Sequence, residues 1–270
     1  MLTPENIAAS RRRITQSTSA EIASTSSDSS DSDSDDGSNT QLTLGSYRTA
    51  VGMLGFAAHS TRPDVAHAYG MAARQQQNPT QKDLLAVIHA FRYLRGTASL
   101  SLRFSSDSNP LQLIGYSDAD WAGDNSDARS TSGCILVLGG AAVSWNSTKQ
   151  QNVALSSTEA EYMAASEAAR EVVWMRTLLS EIGAPQTAPT PLRIDNQTAI
   201  RMALEEGNQG RRKHINVKHH FIRELAIDEL IHLEWVPTTE QQADILTKAP
   251  SHKQFFKLRA LVMGHAQSDN

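Results

Sequence analysis

The sequence predicts an α/β protein in which a mixed sheet carries helices on its faces. From residue 111 onward, strand-like and helix-like runs follow one another in the order β-β-β-α-β-α-β-α. The second and third strands are separated only by Gly139 and Gly140, which is a hairpin signal. The later strands are separated by helices, so they require crossover connections and parallel pairing. A small helical segment and a disordered tail precede the sheet.

The first 43 residues form a low-complexity tail that includes TSSDSSDSDSDDGSN at 25–39. Such a composition buries too little apolar surface to offset the entropy of ordering, so we predict that residues 1–43 are disordered. The tail holds seven acidic residues and three arginines, which accounts for the whole formal charge of −4. Because the remainder is neutral, bulk charge neither favours nor excludes a polyanionic partner.

Cysteine content and hydropathy bound the environment of the protein. The single cysteine, Cys134, excludes an internal disulfide, which suits a reducing compartment. No run approaches the ~20 apolar residues that a membrane span requires, and no secretory signal is visible at the N-terminus. We therefore expect an intracellular protein, cytoplasmic or nuclear, with no membrane partner.

The elements follow from local patterns. YRTAVGMLGFAAH and DLLAVIHAFRYL show apolar residues at helical spacing and predict a helical segment within 44–105, before a linker at 106–110. Beyond the linker, we predict strands at 111–118, 133–140, 142–147, 191–195 and 231–236. We predict helices at 158–182, after 195, at 213–229, at 243–248 and at 253–263. Trp145 and Trp235 lie in predicted strands and are expected in the core.

Three aspartates lie at the ends of predicted elements. Asp118 closes the first strand and Asp195 closes the fourth, just before a helix begins. In an open α/β sheet, ligands collect at the carboxyl ends of strands, so parallel neighbours would bring these two carboxylates side by side. Asp244 lies near the start of the short helix at 243–248, where a lone aspartate is usually a cap or a partner of the helix dipole.

The long helix offers two glutamates in SSTEAEYMAA at 156–165. At about 100° per residue, Glu161 heads an apolar stripe that must face the sheet. The stripe continues through Ala164, Ala165, Ala168, Val172, Met175 and Leu179. Glu159 lies on the opposite side, where we expect it to be solvated and to form a capping box with Ser156. The alternative for Glu161 is that Thr158 caps the helix and Glu161 is its box partner.

A divalent metal would explain a convergence of these acids. Three or four carboxylates that met without a cation would repel one another, and some would stay protonated. Mg²⁺ prefers hard oxygen ligands and completes its shell with water and substrate phosphate. Two such ions ~4 Å apart can activate water and stabilise the leaving oxygen in phosphodiester hydrolysis. Spacing alone leaves separate strand-end caps as an alternative.

Four segments resemble, in chain order, the acidic motifs of the ribonuclease H domain of copia-type retrotransposon polyproteins. They are YSDADWAG, SSTEAEYMAAS, LRIDNQTAI and QQADILTK. KHINVKHHFIRE and IHLEWVPT are also similar to that family. YRTAVGMLGFAAHSTRPDVAHAYG and FRYLRGT resemble the segment that connects the reverse transcriptase to its ribonuclease H. The resemblance covers about 44–263 and implies a connection segment at 44–105 and a ribonuclease H-like domain at 111–263.

The resemblance implies a ribonuclease H-like fold with a five-stranded mixed sheet, and endonucleolytic cleavage of the RNA strand of RNA–DNA hybrids. By motif, the catalytic residues and metal ligands are Asp118, Glu161, Asp195 and Asp244. The resemblance implies that they bind two Mg²⁺ ions, for which Mn²⁺ can substitute. Asp120 is then interpreted as a turn residue beyond the strand. Cellular relatives carry a histidine in the loop before the fourth acid, whereas VPTTEQQA at 236–243 has none.

Competing interpretations remain. The chain has no Tyr-X-Asp-Asp motif, so we expect no polymerase activity from it; it is a part or remnant of a polyprotein whose other parts are further partners. One alternative is a remnant that binds nucleic acid without cutting it. Another is a related nuclease or transposase that cuts DNA. The four intact acids favour an enzyme, and the position of the helix glutamate together with Gln197 favours ribonuclease H.

Several residues are candidates for contact with the RNA–DNA hybrid. The run GRRKHINVKHH at 210–220 predicts phosphate contact, although a solvated helix start is the alternative. Its basic residues are Arg211, Arg212, Lys213 and Lys218. By resemblance, Gln197 reaches the minor groove, where the 2′-hydroxyl distinguishes RNA from DNA. A helix start that offers hydroxyl and N–H groups suits phosphate. Its residues are Ser156, Ser157 and Thr158.

Overall fold

The computed structural model describes residues 37–105, 111–123, 127–204 and 221–265. The basic run at 211–218, the linker at 106–110 and most of the tail predicted to be disordered lie outside these residues. The first helix within the described residues, α1, begins at Gly37, inside the segment predicted as tail.

Within the described residues, three helices precede the sheet, where the apolar periodicity predicts a helical segment. They are α1 (Gly37–Ser60), α2 (Ala66–Arg74) and α3 (Gln81–Gly96), with a 3₁₀ turn at Pro63–Val65. Helix α3 begins at a capping box, in which the Thr80 hydroxyl accepts from the Asp83 N–H and the Asp83 carboxylate accepts from the Thr80 N–H. The Tyr47 hydroxyl donates to the Ala72 carbonyl at 2.9 Å and joins α1 to α2.

Five strands form one mixed sheet in the order β3-β2-β1-β4-β5. They are β1 (Ile114–Asp120), β2 (Thr131–Leu138), β3 (Ala141–Lys149), β4 (Thr190–Ile194) and β5 (Ile231–Trp235). The first three pair antiparallel, whereas β4 lies parallel to both β1 and β5. The predicted α/β class with a five-stranded mixed sheet flanked by helices is therefore confirmed.

The remaining helices interleave with the strands in the predicted order. They are α4 (Ser157–Glu181), α5 (Gln197–Leu204), a helical stretch at 221–227, α6 (Asp244–Thr247) and α7 (His252–Val262). One face of the sheet packs against α4, whose apolar stripe is buried as predicted. The cluster on this face includes Leu136, Leu192, Ile194, Ala168 and Val172.

The opposite face of the sheet packs against helices from both ends of the chain. One continuous cluster joins Leu54 and Ala58 of α1 to Tyr116 and Ile135 of the sheet and to Leu246 of α6. The Trp145 indole N–H donates to the Ala58 carbonyl at 2.7 Å, which bonds β3 to the end of α1. The segments predicted at 44–105 and 111–263 thus share one hydrophobic core.

A polar network reinforces this junction. The Arg62 guanidinium donates to both carboxylate oxygens of Asp64, at 2.9 and 2.8 Å. The Tyr93 hydroxyl also donates to Asp64, at 2.5 Å, and accepts from Arg259 of α7 at 3.1 Å. Because Arg62 and Asp64 are buried, each charge depends on these hydrogen bonds to offset the cost of desolvation, so loss of either partner would destabilise the junction.

Candidate active site

Three carboxylates converge at one edge of the sheet. Asp118 lies in β1, Asp195 directly follows β4, and Asp244 is the first residue of α6. Because β1 and β4 are parallel neighbours, their carboxyl ends meet at the same edge, as predicted. One carboxylate oxygen from each residue lies within 4.8 Å of the other two.

Glu161 lies beside this group, on the second turn of α4. Its side chain is buried, and its Oε2 atom has no hydrogen-bond partner. The N-cap of α4 is Ser156, whose hydroxyl accepts from the Glu159 N–H, so the alternative in which Thr158 caps the helix and Glu161 completes its box is wrong. Glu161 therefore has no capping role, and its unpaired oxygen is available to a cation.

Burial and mutual repulsion raise the carboxyl pKa values of Glu161, Asp195 and Asp244. Burial, followed by the Asp118 charge, raises the pKa of Glu161 to about 10 and that of Asp244 to about 7. The same two causes raise the pKa of Asp195, although a hydrogen bond from the Thr238 hydroxyl at 2.9 Å opposes them. The cluster thus retains protons at neutral pH when no metal balances its charge.

Two further residues of α6 and its C-cap contact the acids, and the motif comparison did not single them out. The Thr247 hydroxyl donates to Asp118 Oδ2. The Lys248 ammonium lies 2.9 Å from Asp244 Oδ1 and 3.6 Å from Asp118 Oδ2. Lys248 follows Asp244 by four residues, a spacing that places two side chains on one helix face and could have identified it from the sequence.

Asp120 is not a turn residue, and that interpretation is wrong. It is the last residue of β1 and pairs with Thr131 of β2. Burial raises its pKa, and the charges of Lys248 and Asp118 act on it in opposite directions. Asp120 thus lies near the cluster, but it is outside the group of three converging carboxylates.

Glu159 is buried rather than solvated, which corrects the expectation for it. Its carboxylate accepts from the Leu155 N–H at 3.0 Å while its own N–H donates to Ser156. Half of the predicted capping box is therefore present: the Ser156 hydroxyl accepts from the Glu159 N–H, but the Glu159 carboxylate bonds Leu155 rather than Ser156. Of the other residues at this helix start, Ser157 is exposed and Thr158 is half-buried.

Gln197 and Trp235 flank Asp195 at the same edge. Gln197 is the exposed first residue of α5, and the neighbouring Asn196 side chain caps the helix by accepting from the Ala199 N–H. Trp235 is 52% exposed, so the expectation that it belongs to the core is wrong. As the last residue of β5, it lies where the sheet meets solvent, and its indole N–H donates to the Asp195 carbonyl. Trp145 is half-buried against the core, as expected.

The donor set suits a divalent cation with hard-ligand preference. All the converging atoms are carboxylate oxygens, which Mg²⁺ and Mn²⁺ prefer. The buried, unpartnered Glu161 Oε2 and the raised carboxyl pKa values are costs that a bound cation would remove. The residues present therefore fit a metal site.

Comparison with known proteins gives relatives over most of the chain. No family model matches. The Retrovirus-related Pol polyprotein from transposon TNT 1-94 of Nicotiana tabacum is 41% identical over 220 residues, 82% of this chain and 16% of that protein. That from transposon RE1 of Arabidopsis thaliana is 39% identical over 81% of this chain and 15% of that protein. The Secreted RxLR effector protein 161 of Plasmopara viticola is 46% identical over 129 residues, 48% of this chain and 90% of that protein.

Similar solved structures include ribonuclease H domains and a viral reverse transcriptase. The N-terminal ribonuclease H domain of rv2228c from Mycobacterium tuberculosis is 12% identical with a TM-score of 0.38, over 55% of this chain and 96% of that one. A foamy viral protease-reverse transcriptase in complex with RNA/DNA hybrid is 11% identical with a TM-score of 0.44, over 77% of this chain and 26% of that one. Among the described residues, none of the helices has the length and apolar character needed to cross a membrane.

Proposed function

Because the chain belongs to the family of retrovirus-related Pol polyproteins from transposons, and spans about a sixth of their length, we propose that it cleaves the RNA strand of RNA–DNA hybrids. The observation that carries this proposal is the convergence of Asp118, Asp195 and Asp244, with Glu161 beside them. These are the four acids that the motifs select, and three separate elements bring the aspartates to one edge of the sheet.

The four acids would hold two divalent ions, Mg²⁺ or Mn²⁺. When bound, such ions supply Lewis acidity and lower the pKa of a coordinated water. The contribution of the chain is to fix the ligands. Thr247 orients Asp118 and Thr238 orients Asp195 through hydrogen bonds, so that neither carboxylate has to be ordered at the moment of binding.

The proposed substrate contacts surround these acids. Gln197 is exposed two residues after Asp195, which suits contact with a 2′-hydroxyl. The start of α4, with Ser156, Ser157 and Thr158, would offer N–H groups to a phosphate. The basic run at 211–218 would neutralise further phosphates. In this proposal the remaining parts of a polyprotein are partners that bring the hybrid to the site.

A cleavage assay on three labelled duplexes tests the proposal. We expect the full chain with Mg²⁺ to cut the RNA strand of an RNA–DNA hybrid and to leave duplex RNA and duplex DNA intact. EDTA should abolish the reaction, since the acids then lack their cation. Cleavage of duplex DNA at a comparable rate would instead indicate a DNA nuclease. Hybrid binding without cleavage at any Mg²⁺ or Mn²⁺ concentration would indicate the binding-only remnant.

A further inference from the structure

One cation of the chain itself already lies among the acids. The Lys248 ammonium is 2.9 Å from Asp244 Oδ1 and 3.6 Å from Asp118 Oδ2. It bridges β1 and α6, the two elements that supply these carboxylates. Asp195 and Asp120 also interact electrostatically with the Lys248 ammonium. Lys248 is therefore the counter-ion of the cluster among the described residues.

The chain fixes where this ammonium can go. Lys248 is the C-cap of a single helical turn, and its N–H donates to the Asp244 carbonyl at 3.2 Å. The turn packs into the core, where Ile245 and Leu246 are buried, and the Ser147 hydroxyl donates to the Leu246 carbonyl at 2.6 Å. The backbone of Lys248 is thus held, while its side chain is 37% exposed and can leave the cluster.

An ammonium and a divalent ion cannot both occupy the space between Asp118 and Asp244. A metal would coordinate these oxygens at about 2.0–2.1 Å, which is inside the distance that the ammonium now keeps. Both are cations, so they also repel each other across a few ångströms of partly buried space.

We propose that Lys248 is a tethered cation that holds Asp118 and Asp244 together before metal binds, and that a divalent ion must displace it. This inference rests on the proposed metal site. Lys248 is a positioning residue in this role: it keeps the carboxylates converged when the metal is absent, and its departure is part of the cost of loading the site. Released from the acids, the side chain remains beside the site with a free positive charge.

Metal titration of a neutral variant tests the competition. In Lys248→Met the competitor is gone, so calorimetric titration with MnCl₂ at pH 8 should give a Kd about 10-fold lower than that of the wild type, or about 1.4 kcal/mol. Lys248→Arg keeps a cation and should bind Mn²⁺ within about 2-fold of the wild type. Lys253→Met removes an exposed lysine of α7 and serves as the matched control. Equal or weaker Mn²⁺ binding by Lys248→Met would overturn the inference.

Thermal unfolding in EDTA tests whether Lys248 holds Asp118 and Asp244 together when no metal is bound. Lys248→Met should have a lower Tm than the wild type at pH 8, because the carboxylates lose their counter-ion. Added Mn²⁺ should raise the Tm of Lys248→Met by more than it raises the Tm of the wild type. An unchanged Tm in EDTA would overturn the proposal even if metal binds. The proposed function fails differently: if neither protein binds Mn²⁺, the metal site itself is wrong, and the displacement is wrong with it.

Discussion

Asp118 and Asp120 lie two positions apart on strand β1 and are therefore directed to the same face of the sheet, yet only Asp118 belongs to the three converging carboxylates. Asp118 contacts Thr247 and Lys248, whereas Asp120 pairs through its backbone with Thr131 at the end of the strand. The two residues offer a matched comparison of the same side chain on the same strand.

Asp118→Asn should lower hybrid cleavage by about 10³-fold or more, because it removes a ligand shared by the proposed metal site. Asp120→Asn should retain most of the activity. The measurement is single-turnover cleavage of a labelled hybrid, with circular dichroism to verify both folds. Near wild-type cleavage by Asp118→Asn would refute its assignment. Its metal-free Tm should not fall, since the substitution relieves repulsion in the cluster.

The metal-free protein should lose stability as pH rises through neutrality. The folded-state pKa values of Asp244 and Glu161 lie above their ordinary values, so the folded state binds more protons than the unfolded state over this range. The stabilisation is complete below the ordinary carboxyl pKa of about 4. The contribution of Asp244 is lost as pH rises through about 7, and that of Glu161 is lost as pH rises towards about 10. Scanning calorimetry in EDTA should show Tm falling by about 2–4 °C or more between about pH 5 and 8.

Saturating Mg²⁺ should suppress this decline, because the ion takes the place of the protons. The control is Asp118→Asn in EDTA, which removes the second cause of both raised pKa values while burial remains, and which should make the pH dependence shallower. A Tm that is independent of pH in metal-free wild type would show that the carboxylates are not coupled as their arrangement indicates.

Gln197→Ala should weaken discrimination between an RNA–DNA hybrid and duplex DNA. The side chain is exposed beside Asp195 and can donate or accept at a 2′-hydroxyl, a contact worth about 1 kcal/mol. Competition binding in Ca²⁺ measures the ratio of the two affinities, and we expect it to fall about 5-fold. Thr198→Ala, at the adjacent exposed position of α5, is the control. An unchanged ratio would exclude Gln197 from substrate discrimination.

The basic run should determine the salt dependence of hybrid binding. If Arg211, Arg212 and Lys213 contact phosphates, changing all three to Ala should raise KM more than it lowers kcat, because binding in the ground and transition states is lost equally. The slope of log K against log salt should become shallower by up to about 2–3. A second triple variant, of exposed basic residues on α3, should leave the slope unchanged. It replaces Lys82, Arg92 and Arg95 with Ala. Parallel lines for the first triple variant would show that the run does not bind nucleic acid.

A core substitution in α1 should destabilise the sheet. Leu54 is fully buried in the cluster that includes Tyr116 and Leu246, so Leu54→Ala should cost about 2–5 kcal/mol in the free energy of unfolding. Phe56, which is 77% exposed on the same helix, provides the control: Phe56→Ala should cost less than about 0.5 kcal/mol. Urea unfolding followed by tryptophan fluorescence should show one transition. Two transitions, with only the first shifted by Leu54→Ala, would mean that the upstream helices fold separately.

Sequence periodicity predicted the sheet, the order of its elements and the buried stripe of α4 below Glu161, because burial imposes a regular spacing on those residues. It failed at the ends of elements. The apolar pattern ends the first strand at Asp118 and so makes Asp120 a turn residue, whereas the strand end is set by pairing, here with Thr131, which no local pattern reports. Trp235 was expected in the core because the strand pattern does not show that the sheet ends at it. The four-residue spacing of Lys248 from Asp244 indicates one of its two contacts, whereas its contact with Asp118, which is distant in sequence, follows only from the fold.

The hydrophobic cluster shared by α1 and the sheet also determines which deletions the fold can survive. A deletion that began the chain in the linker at 106–110 would keep every acid, yet it would expose the face that carries Tyr116 and Ile135 to water. Such a fragment would be prone to aggregate, since a large apolar patch is then left without cover. Damage confined to the upstream helices would therefore disable the proposed site as surely as a lost aspartate, while all four acidic motifs remained intact in the sequence.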